Sequence, residues 1–296
     1  MGEKDITEKL LEDYNDVFSD IMNAFLFDGN DVVKESSLEN TQTHSQYKAH
    51  DGKIHELERD IIKYWKEGNV RLALYGIENQ TSADRLMPLR VIAYDGASYK
   101  SQLTSGNKKV IPVITIVLYF GKEHWNAPIT LKETLDIPER VDNYVNDYRI
   151  HVFEISWLTN EQINLFKSDF RAVADFFVKR RVDPDYTPKD KTEIKHIEEV
   201  LKLMSAFTGD NRYEAVLTYP DIKEAKSMCE VFDRVWNGGL EEGKAEGIAE
   251  GKAITLYSLV QDGDLSLEKA SLKMDVSVQE FERLMNEAGY KVPSLS

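Results

Sequence analysis

The sequence predicts an α/β or α+β domain with a central mixed sheet, followed by a region that is helical throughout. Three observations carry this. Residues 8–26, EKLLEDYNDVFSDIMNAFL, repeat apolar side chains at three- and four-residue steps. The run VIPVITIVLYF at 110–120, although it contains a Pro, is continuous enough in apolar residues for a strand buried on both faces. Beyond VDPDYTPKDK (182–191), which holds two prolines, every segment has helical patterning.

The first helix sets Leu10, Leu11, Tyr14, Val17, Phe18, Ile21, Met22 and Phe25 on one side and Asp13, Asp16 and Asp20 on the other. Residues 28–53 are polar and read as loops and short strands. RDIIKYW (59–65) and NVRLALYGIENQT (69–81) read as neighbouring strands joined by KEGN, although IHELERDIIKYW also fits a helix. In SADRLMPLRVIAYDGASYKSQL (82–103), Pro88 suits a first helical turn. Leu89, Ile92, Gly96, Tyr99 and Leu103 then give a packing stripe. RIHVFEISWL (149–158) is a further strand, and NEQINLFKSDFRAVADFFVKRR (160–181) a helix. The expected organisation is a core at 1–181, a linker at 182–191 and a helical region at 192–296.

Within that last region Gly239, Gly243, Gly247 and Gly251 recur every fourth residue. Each glycine in a helix interior costs about 1 kcal/mol relative to alanine. Either a partner helix packs on the bare ridge, which would give a homo-oligomer, or the stretch is a flexible charged tether. LSLEKASLKMDVSVQEFERLM (265–285) places two short amphipathic helices around MDVS. Helix-turn-helix DNA readers share that pattern with plain helical hairpins.

The 296-residue chain is long enough for real cores. Its longest apolar run is too short for a membrane span, and MGEKDITEKLLEDY is too charged for a secretory signal. One cysteine, Cys229, excludes an internal disulfide, and no Cys/His cluster suggests zinc. The expected compartment is the cytoplasm, with no membrane partner. A net charge of −15 argues against simple non-specific nucleic-acid affinity. The charge is uneven, however. Residues 1–60 carry 6 basic and 15 acidic side chains, whereas residues 61–120 carry 8 basic and 4 acidic ones. The one positive segment holds the polar motif GIENQ.

In that motif, strand alternation puts Glu78 and Gln80 on one face, roughly 6–7 Å apart. Asp60 lies on the preceding strand. A site that cleaves a phosphodiester needs a divalent cation to polarise the phosphate and help generate hydroxide. Mg²⁺ takes one or two carboxylates and keeps several waters. Asp60 and Glu78 are the candidate ligands, and Gln80 would orient the water or a phosphate oxygen. The plainer alternative is that these are solvated or capping groups at strand ends. No P-loop, GxGxxG or nucleophile elbow competes with them. Tyr94 and Tyr99 read as core.

The stretches RDIIKYW, GIENQTSADRLMPLRVIAYD and VIPVITIVLYFG resemble the recombination-promoting nuclease (Rpn) family, also described as YhgA-like putative transposases of the PD-(D/E)XK nuclease superfamily. The family pattern is an Asp opening one strand, an acid-x-Gln ending the next, then Met-Pro and an Arg on the following helix. Asp60, Glu78, Gln80, Met87, Pro88 and Arg90 fit it, and YNDVFSDIM resembles the family's first helix, with Asp16 and Phe18 near the expected place. The glycine-periodic stretch and the terminal helix pair also resemble its C-terminal region.

The resemblance implies a restriction-endonuclease-like αβββαβ core, DNA cleavage with Mg²⁺ or Mn²⁺, and a role in recombination or mobile-element biology. It implies that Asp60 and Glu78 share the ion, that Asp16 assists, and that Arg85 and Arg90 hold phosphate oxygens. Gln80 stands where most of the superfamily has Lys, and it cannot supply a positive charge. Three readings follow: a DNA endonuclease, an interaction protein that keeps the fold without turnover, and a regulator that binds DNA through its terminal helix pair.

Overall fold

The computed structural model describes residues 11–41, 44–48, 54–58, 60–105, 109–218 and 225–291. The start of the expected first helix, 8–10, and strand residue 59 lie outside the described residues. The chain divides into two compact units, Met1–Phe232 and Asp233–Ser296. The proline-bearing segment 182–191, read from sequence as a linker, lies inside the first.

In the first unit, helix α1 (Asn15–Leu26) buries Val17, Phe18, Ile21 and Met22, as its periodicity requires. The strands that follow are β1 (Leu38–Asn40), β2 (His44–Lys48), β3 (Ile54–Glu58), β4 (Ile61–Glu67) and β5 (Val70–Gln80). After helix α2 (Met87–Thr104) come β6 (Val113–Tyr119) and β7 (His151–Glu154). Helices α3 (Phe170–Val182) and α4 (Ile197–Thr208) complete the main elements. The five-stranded sheet has the order β1-β4-β5-β6-β7, while β2 and β3 pair separately. β4 runs antiparallel to β1 and β5, whereas β5, β6 and β7 are parallel. The sheet is therefore mixed, as the sequence predicts, and β5 and β6 are adjacent and interior. Gly68, at φ 56°, makes the tight turn between β4 and β5.

Alternation assigns the two faces. Lys63, Tyr75 and Ile77 face α1: the Lys63 ammonium sits 5.6 Å from the Phe18 ring centre. It donates to the Asp13 carbonyl at 2.7 Å, to the Asp13 carboxylate and to Asn40, which satisfies a fully buried lysine. Further along that face Phe120 stacks on Phe207 at 4.3 Å and meets Phe177 edge-on at 5.2 Å. Phe120 and Phe177, both buried, each contribute about 1.5–3 kcal/mol through removal from water. On the other face Met87 and Val91 of α2 pack against Val117 of β6.

Burial pushes the Tyr75 hydroxyl up from 10.0 to about 12. The folded chain thus holds a proton that the unfolded chain releases, so stability present below about pH 10 is lost as pH rises towards about 12. A melting series across that window should show the decline, and Tyr75→Phe should flatten it.

Three sequence expectations are corrected here. The buried stripe of α2 is Met87, Val91, Tyr94, Asp95 and Gln102; Leu89 and Leu103 face outward, Leu103 being 68% exposed. Polar groups occupy buried positions because each finds a partner on a strand or in the segment leading into one. Asp95 accepts from the Thr115 hydroxyl at 2.6 Å and from Tyr148, and the Gln102 amide brackets both backbone groups of Ile111. The helix expected at 160–181 is interrupted: one turn at Asn160–Ile163 precedes α3. Asp20 accepts from the Lys167 and Ser168 amides, and Asp169 from those of Lys195 and His196, which fixes the break. The strand expected at 149–158 is shorter and passes into a 3₁₀ turn at Ile155–Trp157.

Helix α5 (Met228–Gln261) begins at the end of the first unit and runs unbroken through the glycines. In the second unit, its C-terminal turns and helices α6 (Leu267–Met274) and α7 (Val278–Glu287) bury Leu256, Tyr257, Val260, Ala270, Phe281 and Met285. Ser266 and Ser277 cap α6 and α7. Among the described residues no atom comes within 4 Å of a Cβ built at Gly243, Gly247 or Gly251. At these three positions the ridge is therefore open with respect to the described residues. Replacing all three by alanine should stabilise α5 by up to about 3 kcal/mol, about 1 per site. Urea unfolding measures the gain, and a fall in mass by light scattering would instead reveal a second copy on the ridge.

Candidate active site

Asp60 stands one residue before β4. The register pairs Ile61 with Ile77, so one step back brings Asp60 opposite Glu78. Cross-strand neighbours on one face have Cβ atoms about 4.5–5.5 Å apart. The Asp60 carboxylate accepts from the Asn79 amide at 2.7 Å, which extends the hydrogen bonding beyond the end of the strand. Glu78 is 1% exposed and faces α2, and Gln80 lies two residues on along the same edge. The Gln80 amide reaches Glu78 at a long 3.5 Å.

Helix α2 presents Arg90 to this pair of strands. Its guanidinium donates to Glu78, to Asp84 at 3.2 Å and to the Tyr94 hydroxyl at 3.3 Å. Burial works against the arginine's charge, but Glu78, Tyr94 and Asp84 outweigh it, and the net shift is further upward. Burial also raises the Tyr94 hydroxyl, as do the Glu78 and Asp60 charges, while Arg90 pulls it down. Both carboxylates thus act on one hydroxyl, in agreement with their common face.

Other candidates are placed elsewhere. Asp16 on α1 belongs to the opposite face, where it meets His196 at 3.2 Å and Lys195 at 3.7 Å. It anchors the start of α4 and does not join Asp60 and Glu78. Arg85 is exposed on the segment leading into α2 and pairs with no carboxylate among the described residues. Two residues of the cleft escaped sequence reading: Asp84, which shares Arg90, and Tyr94, whose ring is buried as expected but whose hydroxyl reaches the arginine. Their spacing from Arg90, six residues before and four after, was the available signal.

Among the described residues no three His, Cys, Asp or Glu side chains gather as a metal site. Asp60 and Glu78 would still offer Mg²⁺ two carboxylates, with waters completing the shell. The Arg90 guanidinium now supplies the positive charge at Glu78.

Fold and site define an α/β protein with a carboxylate pair and an amide converging where two central strands end. Residues 64–201 match the family described as "Putative transposase, YhgA-like", the family the motifs resemble. The match includes Glu78, Gln80, Arg85 and Arg90 and begins after Asp60. No curated protein and no solved structure gives a match. None of the described helices is long and apolar enough to cross a membrane.

Proposed function

We propose that the cleft between β4, β5 and α2 is the active site of a metal-dependent DNA endonuclease. The observation that carries this is the opposition of Asp60 and Glu78 on one sheet face, with Gln80 beside them. Asp60 and Glu78 would hold Mg²⁺ or Mn²⁺, which when bound polarises a phosphate and makes water more acidic. The Gln80 amide orients a water or a phosphate oxygen by hydrogen bonding. Arg90 offers the cation that Gln80 cannot, within reach of the same carboxylate, and its fork suits phosphate oxygens. Plasmid nicking with Mg²⁺, Mn²⁺ or chelator tests the reading. Nicking should need the metal and vanish in the Asp60→Ala, Glu78→Ala double variant; its persistence there would overturn the assignment.

The Arg90–Glu78 ion pair favours a second reading, a nuclease-fold interaction protein whose cation is arginine. A third, DNA reading through the terminal helices, loses ground. The one arginine of α7, Arg283, is held by Glu280 and Glu287 at 2.7 and 2.6 Å, so that helix offers phosphates no free cation.

A further inference from the structure

We propose that Lys122, Arg180 and Arg181 form a subsite for a backbone phosphate of DNA, at the end of the sheet that carries Gln80; the identity of the ligand rests on the nuclease reading. The three cations line a cavity of about 140 Å³ together with Thr81. Thr81 directly follows Gln80, and the Gln80 carbonyl accepts from the Phe120 amide at 2.8 Å, so cavity and cleft adjoin at the ends of β5 and β6. Alternation places them on opposite faces of the sheet. A strand passing over these ends would meet both.

The chemistry is that of an anion site. Four arginines elsewhere are engaged by acids, Arg71 by Glu39, Arg90 by Glu78, Arg212 by Asp210 and Arg283 by Glu280. Among the described residues no carboxylate forms an ion pair with Lys122, Arg180 or Arg181; the Asp210 charge reaches Arg180 only from beyond contact distance, and Asp210 is itself held by Arg212. In a chain of net charge −15 such a group of cations stands out. Arg181 is held in advance: its Nε donates to the Ser156 carbonyl at 2.9 Å and its plane lies 3.6 Å over Trp157. Its Nη nitrogens make no hydrogen bond to the described residues, which leaves the forked edge that grips phosphate. Arg180 donates through Nη1 to the Tyr213 hydroxyl at 2.8 Å. The cavity is also lined by Phe120, Phe177 and Phe207, and apolar walls strengthen charge interactions.

Binding of a short labelled DNA duplex in chelator, measured by fluorescence anisotropy over a range of salt, tests this without cleavage. The Arg180→Gln, Arg181→Gln double variant should bind at least about tenfold more weakly, with a salt slope reduced by about 0.9 per lost phosphate contact. Lys122→Ala, at an exposed position that cannot disturb folding, should lower the slope by about 0.9 alone. Wild-type affinity and slope in both variants would overturn the subsite. So would failure of the wild type to bind duplex, or binding of inorganic phosphate alone. If the variants bind normally while nicking still requires Glu78, only this inference fails. If binding depends on Arg180 and Arg181 but the protein never nicks, the subsite stands and the nuclease reading fails.

Discussion

Glu78→Gln should reduce nicking by on the order of a hundredfold or more while leaving the fold in place. The substitution preserves shape and removes a negative charge that a metal ion, or the charge developing around it, must feel. Arg90 keeps Asp84 and Tyr94 as partners, so no charge is stranded. The stability cost should be about 1–3 kcal/mol, the usual loss for one charge-assisted hydrogen bond. Nicking rates and a urea titration of the same preparations separate the two effects. Activity within a few-fold of wild type would show that Glu78 is the structural partner of Arg90 and nothing more.

Arg90→Met should be the most destabilising change at the site. It leaves Glu78, 1% exposed, with its main cation removed. Breaking a buried pair from one side costs about 3–5 kcal/mol. Arg90 itself is 40% exposed, so the lower end applies and Tm should fall by about 6–12 °C. Lower pH should relieve the deficit, because a stranded buried carboxylate takes up a proton. Mg²⁺ should relieve it as well, and should raise the Tm of the variant more than that of the wild type, where the guanidinium competes. A thermal series with and without the ion measures both effects. Should Mg²⁺ shift neither protein, Asp60 and Glu78 do not bind it and the interaction-protein reading gains.

The parts of this molecule that were legible in the sequence are those set by apolar pattern. The runs at 69–81 and 110–120 gave two of the three inner strands, and alternation within the first put Glu78 and Gln80 on one face. The misreadings arise where polar side chains do the packing. A stripe search over α2 chooses Leu89 and Leu103 because it cannot know that Asp95 and Gln102 will find Thr115, Tyr148 and Ile111 waiting. The break before α3 depends on Asp20, far away in sequence, accepting two amides. Asp16 was assigned to the cleft by likeness of motif, and its pairing with His196 on the other face was beyond any local pattern. The Arg90–Glu78 contact joins a helix to a strand twelve positions earlier. Sequence supplied both residues and not their neutralisation of each other.

The polar contacts of Asp95 reach further than their own place in the core. Asp95 lies five residues beyond Arg90, about 7.5 Å along the helix axis. Bonds to Thr115 on β6 and Tyr148 before β7 hold it. Unlike greasy contacts, which let a helix slide and rotate at small cost, directional bonds of this kind permit one seating. The arginine is thereby indexed against the strands that carry the carboxylates, as a key is by its notches. A substitution at Tyr148, with no contact to the cleft, would then act as a change of alignment there, moving the charge at Glu78 without touching it.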